Sequence, residues 1–185
     1  YSIHLFRETT FSNVAVIGVG NLSTGGTGKS PMVEYIVNNY SHRYKIAILS
    51  RGYGRKTKGY RVCKPTDTYQ EIGDEPLQFV SKFNNVVVAV SENRRDGINK
   101  IMKEFPNIQM IILDDSFQHR RVKPHLNILL TNYYDLYYKD FLLPTGNLRE
   151  HISNAKRANI IIVSKCDKIL SPIIAKSVFG YRDAY

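Results

Sequence analysis

Ser23-Thr24-Gly25-Gly26-Thr27-Gly28-Lys29-Ser30 is the segment whose residue types and order most directly specify chemistry. Glycines let backbone N–H groups turn onto phosphate oxygens, Lys29 can reach the β- and γ-phosphates, and the Ser30 hydroxyl can ligate magnesium. The segment lies between an apolar run and a stretch with helical spacing that begins at Pro31, the context a phosphate loop requires. One position departs from the GxxxxGK[ST] pattern: its first glycine falls at Ser23. The implied ligands are a nucleoside triphosphate and Mg2+, with residues 23–30 as nucleotide contacts.

A second chemical signal is Ile111-Ile112-Leu113 running into Asp114-Asp115, a buried-strand pattern that ends in carboxylates suited to a magnesium shell. Side chains diverge along an extended chain, so one aspartate can orient the metal while the other makes a second contact or activates a nucleophile. The residues alone do not assign the two roles. Ser116-Phe117-Gln118-His119-Arg120-Arg121 then sets donors and cations beside the pair, suited to an anionic second substrate. Gly73-Asp74-Glu75-Pro76 reads by itself as a helix start with Asp74 at the N-cap. Arg51, Arg55, Lys56, Lys58, Arg61 and Lys64 crowd one stretch that contains no acid, either a solvated loop or a grip on phosphate or anionic headgroups. Tyr133, Tyr134, Tyr137, Tyr138 and Phe141 have a spacing that suits a helix face, either core or membrane contact.

Elements must hold these loops in place. Short apolar runs at 14–19, 45–49, 86–90, 110–113, 127–130 and 160–163 have the continuous character of strands buried on both faces. Helical spacing falls between several of them, at Met32, Tyr35 and Ile36, at Leu77 and Val80, and at Ile98, Ile101 and Met102. Alternating β and α predicts an α/β fold, a parallel sheet flanked by helices in three layers, with ligands beyond the carboxyl ends of the strands. With 185 residues and 43% apolar composition the chain is expected to form one domain, and no apolar stretch has the length of a bilayer span. A net charge of +10 favours a polyanionic partner. Cys63 and Cys166 lack CxxC spacing, which fits a reduced cytosolic protein.

The chain resembles the lipid A 4'-kinase family, on motifs that stand in the family's order. These are Gly20-Asn21-Leu22 with Gly25-Gly26-Thr27-Gly28-Lys29-Ser30-Pro31, Ser50-Arg51-Gly52-Tyr53-Gly54-Arg55, Ile72-Gly73-Asp74-Glu75-Pro76, Leu113-Asp114-Asp115-Ser116-Phe117-Gln118-His119, and Leu143-Pro144-Thr145-Gly146-Asn147-Leu148-Arg149-Glu150. His151 stands where the family usually has proline, and Ser116 where it usually has glycine or alanine. The resemblance implies ATP-dependent phosphorylation of the 4'-hydroxyl of a tetraacylated glucosamine disaccharide 1-phosphate, at the inner face of the bacterial inner membrane. It makes Asp74 the catalytic base, beside Lys29 and Asp115, and assigns magnesium to Ser30, Asp114 and Glu150. The substrate side is expected from Asn21, Arg51, Gly52, Tyr53, Arg55, Gln118, His119, Arg120 and Arg149. Residues 1–185 then form a P-loop kinase domain, to which the family adds a membrane-associated helix before Tyr1 and a lobe after Tyr185.

The rival reading is a P-loop ATPase switch that grips nucleic acid or a protein partner, which explains the positive charge equally well. It does not explain Gly73-Asp74-Glu75 or Leu148-Arg149-Glu150, and no RRM, KH or helix-turn-helix signature is present. Nucleic acid is therefore not the expected partner.

Overall fold

The computed structural model describes residues 8–166. Its seven strands form one sheet: β1 (Ala15–Asn21), β2 (Ile46–Ser50), β3 (Arg61–Val62), β4 (Val87–Val90), β5 (Met110–Asp114), β6 (Leu126–Asn132) and β7 (Ile160–Ser164), in the order β3-β4-β2-β5-β1-β6-β7. Every pairing is parallel except that of β3 with β4. The parallel α/β architecture expected from the apolar runs is what the chain adopts. The short antiparallel edge β3 was not legible, because its two residues lie inside the basic stretch.

Alternating strand residues point to opposite faces, and each face carries helices. On one face Val19, Ile48, Val88 and Ile112 pack with Val33, Ile36 and Val37 of α1 (Lys29–Tyr40) and with Phe79 and Val80 of α3 (Asp74–Lys82). On the other, Val16, Leu49, Ile111 and Leu113 pack with Ile98 and Ile101 of α4 (Arg94–Glu104). Ile111, Ile112 and Leu113 are at most 1% exposed, so β5 delivers its terminal aspartates from the centre of the core. A third cluster, with Leu22, Phe117, Leu129 and Leu148, underlies the loops at the strand ends.

Two local expectations change. The aromatic stretch is not one helix face. Asn132 accepts from the backbone N–H of Tyr134 at 3.2 Å and Thr131 from that of Tyr137 at 3.1 Å, and these local bonds turn the chain before a 3₁₀ helix at Tyr137–Lys139. Tyr137 is buried, whereas Tyr134 and Phe141 are 67% and 69% exposed. Asp74 is not an N-cap either; it is the first residue of α3, and Gly73 precedes it. A capping box between Thr68 and Glu71 opens the short α2 (Tyr69–Ile72), which abuts α3 through Gly73.

Gly73 has φ 91° and ψ 162°, a conformation essentially reserved for glycine. A Cβ there would lie 2.9 Å from the Tyr53 carbonyl oxygen and 3.0 Å from the Gly52 carbonyl carbon. The loop after β2 is thus seated on the start of α3. Gly73→Ala is expected to cost about 2 kcal/mol or more of stability in urea unfolding, and an unchanged midpoint would contradict this seating.

Candidate active site

The loop between β1 and α1 has the form of an anion cradle. Gly25 and Gly28 take positive φ, 96° and 87°, and no side chain caps the start of α1, so its first amides stay available to a ligand. The loop is braced from within and without. Asn21 Nδ2 donates to Thr27 Oγ1 at 2.8 Å, and Lys29 Nζ to Asn21 Oδ1 at 3.4 Å. The Thr24 amide donates to the Asn147 carbonyl at 2.7 Å, the Arg149 amide to the Leu22 carbonyl at 2.8 Å, and Ser164 Oγ to the Thr27 carbonyl at 2.9 Å. Ser23, also buried, forms a bridge with Leu148. Thr24, Gly25 and Gly26 are left exposed.

Carboxylates gather on the β5 side of this loop. Asp115 accepts a two-pronged bond from the Arg149 guanidinium, 3.0 Å on each side, and lies 3.5 Å from Lys29 Nζ. Burial opposes its charge, but Arg149 and Lys29 hold its carboxyl below the ordinary range. Asp114 is fully buried, and its Oδ2 accepts from Ser50 Oγ at 3.1 Å. Burial first, then the charges of Glu75 and Asp115, push its carboxyl up to about 7. Its Oδ1 is buried without a hydrogen-bond partner. Glu75, in the first turn of α3, accepts from Ser30 Oγ at 3.1 Å, and Asp74, which precedes it, is exposed.

Among the described residues no group of three or more His, Cys, Asp or Glu forms a metal cage. Magnesium in phosphoryl transfer is held by one or two carboxylates with phosphate and water. The orphaned Asp114 Oδ1 and the Ser30 hydroxyl are oxygen donors of the right chemistry. Glu150 Oε2 accepts from Arg157 at 2.7 Å while its Oε1 is buried without a hydrogen-bond partner, as Asp114 Oδ1 is, and Glu75 is the acid that meets Ser30.

The model of the family described as tetraacyldisaccharide-1-P 4'-kinase matches residues 1–178. The chain belongs to that family. It is 52% identical over 165 residues to the tetraacyldisaccharide 4'-kinase of Flavobacterium psychrophilum, covering 89% of this chain and 48% of that protein. It is 49% identical over 169 residues to the enzyme of the same name from Bacteroides thetaiotaomicron, covering 91% of this chain and 44% of the relative. The crystal structure of LpxK from Aquifex aeolicus in complex with ATP aligns with a TM-score of 0.79 at 35% identity, over 90% of this chain and 54% of that one. The chain thus spans about half the length of the curated relatives it matches.

Within this family member, the residues expected on the substrate side divide. Gln118, His119 and Arg120 line a cleft of about 420 Å³ together with Glu92, Asn93 and Arg94. Burial, with Arg94 and Arg51 nearby, pushes the His119 imidazole down to about 4, so it is neutral at neutral pH. Arg51 and Tyr53 are exposed, whereas Gly52 is buried against α2. Asn21 is fully buried and serves as the brace of the phosphate loop, joined to Arg149 through its Oδ1, so it is not open to a second substrate. The Arg55 side chain is 2% exposed and committed to Glu92 and the Gly59 carbonyl, which makes it a clamp for its own loop.

Arg94 and Glu75 carry weight that sequence reading did not assign. Arg94 is 2% exposed and donates to the carbonyls of Ser91 at 2.5 Å and Asp114 at 3.0 Å, tying the ends of β4 and β5. Burial pushes its guanidinium down to about 10, so it stays charged and partly offsets the charge of Asp114. The only sequence signal for it was an arginine at a helix start, which usually marks solvent.

A folded-state Asp114 pKa above its unfolded value means that the native protein binds more protons in the interval from about 4 to about 7. Its contribution to stability therefore falls as pH rises through that window. Without metal or nucleotide, Asp114→Asn is expected to gain on the wild type by a few kcal/mol between pH 5 and pH 8 in urea unfolding. Parallel pH profiles would contradict the assignment.

Proposed function

We propose that this chain carries the phosphoryl-transfer site of an enzyme that moves the γ-phosphate of ATP onto the 4'-hydroxyl of a tetraacylated glucosamine disaccharide 1-phosphate. The observation that carries the reading is that Lys29 and Ser30 of the phosphate loop meet Asp115, from the end of β5, and Glu75, from the first turn of α3. A loop made only to hold nucleotide does not need an exposed aspartate next to that glutamate. Family membership and the ATP named in the Aquifex structure support the choice of donor, and the relatives' name supports the choice of acceptor.

In this mechanism the loop amides and Lys29 hold the phosphates, and Ser30, Asp114 and Glu75 would hold magnesium, whose charge would stabilise the transferring phosphoryl group. Asp74 takes the proton of the 4'-hydroxyl while the sugar oxygen bonds to the γ-phosphorus and the bond to the β-phosphate oxygen breaks, leaving ADP. Arg149 fixes Asp115 and, through it, Lys29. Arg51 and Arg120 meet the anionic 1-phosphate. The protein works at the inner face of the bacterial inner membrane as a peripheral enzyme. Exposed Phe141, Leu142 and Leu143 and a net charge of +10 suit an anionic lipid surface. No helix among the described residues is long and apolar enough to cross a membrane.

The test is transfer of labelled γ-phosphate from Mg-ATP to the disaccharide lipid in mixed micelles by the full-length protein. Asp74→Ala should lose about 100-fold or more in transfer and still bind ATP. Transfer at the wild-type rate removes Asp74 as base, and turnover stimulated by oligonucleotide in place of lipid contradicts the function. Glu75→Gln should raise the magnesium concentration for half-maximal transfer by about tenfold, the effect of one lost charged ligand, and an unchanged requirement would remove it from the metal set.

A further inference from the structure

The residues discussed so far all serve the γ-phosphate end of a bound nucleotide. The sheet also shows where the other end goes. β1 has β5 on one side and β6, then β7, on the other. Asp114 and Asp115 lie on the β5 side, and Ser30 meets Glu75 of α3. A polyphosphate whose last phosphate lies there must run back over Gly26 to Gly28, towards the end of β7. Ser164 and Lys165 stand at that end.

Ser164 is fastened to the loop by its bond to the Thr27 carbonyl, and its Cβ lies 3.6 Å from where a Cβ on Gly28 would stand. Lys165 follows in the left-handed region, with φ 56°, an uncommon conformation for a residue with a side chain. That turn carries its ammonium over the phosphate loop, 3.9 Å from where a Cβ on Gly26 would stand. Lys165 is exposed, and among the described residues no carboxylate pairs with it. An exposed lysine held in this conformation with its ammonium beside Gly26 offers a flat aromatic ring its methylene stem and a positive charge together.

We infer that Lys165, seated by Ser164, is the nucleoside-side contact of the site, its stem lying against the purine ring of the bound nucleotide. The inference rests on the reading of residues 23–30 as the nucleotide loop. It differs from a role on the phosphates, because a contact to the base is absent when the ligand has no base.

Calorimetric titration of this chain with ATP and with inorganic tripolyphosphate separates the two. Lys165→Ala should weaken ATP by about fivefold, the scale of an exposed cation over a ring, and leave tripolyphosphate unchanged, which also reports that the loop is still folded. Lys165→Arg should keep most of the ATP affinity. Equal losses for both ligands in Lys165→Ala would make the residue a phosphate contact and overturn the inference, as would no loss for either. Lys29→Ala should weaken both ligands. If the wild type binds neither, the loop reading has failed and this inference fails with it.

Discussion

The charge of one fully buried carboxylate, Asp114, governs the arrangement around it. Burial and the neighbouring acids Glu75 and Asp115 all favour its protonated form, and Ser50 and Arg94 oppose them. Such a site is unfavourable when the protein is alone and becomes favourable when a cation arrives. The surrounding residues follow from that condition. Arg94 is buried because a charge is needed beneath the strand end, and Arg149 spans Asp115 and Asn21 because the second aspartate also needs a partner. Asp114 Oδ1 is buried without a partner, an oxygen that the proposed magnesium would satisfy.

The phosphate loop is shaped by segments far along the chain. Thr24 is bonded to Asn147, Leu22 to Arg149 and Thr27 to Ser164, so the loop's geometry depends on residues more than a hundred positions later. Bracing of this kind limits the rearrangement needed when phosphates bind, which is where positioning contributes most to phosphoryl transfer. The Leu148-Arg149 segment is a wall of that loop and the holder of Asp115.

Much of this was legible in the sequence. The apolar runs are uninterrupted because parallel strands are covered on both faces, so β1, β2, β4, β5, β6 and β7 stood out, and Gly28-Lys29-Ser30 and Asp114-Asp115 could be placed on their ends. The misses have local causes. The aromatic stretch followed helical spacing, but Asn132 and Thr131 offered the backbone competing bonds. Arg55 looked like a surface cation because a sequence cannot show that Glu92 and the Gly59 carbonyl take up its donors. Asn21 was read as ligand-facing, yet it is buried as a brace of the phosphate loop. Glu75 was overlooked as a Ser30 partner because that contact joins residues 45 positions apart on two helices.

The central claim is that the strand-end carboxylates are arranged for a cation that arrives with the nucleotide. Proton release on binding Mg-ATP tests it most directly, measured by calorimetry at pH 6 in buffers of different ionisation enthalpy. The account predicts release of close to one proton at pH 6, much less at pH 8, and none at either pH in Asp114→Asn. Binding without proton release at pH 6 in the wild type would contradict it.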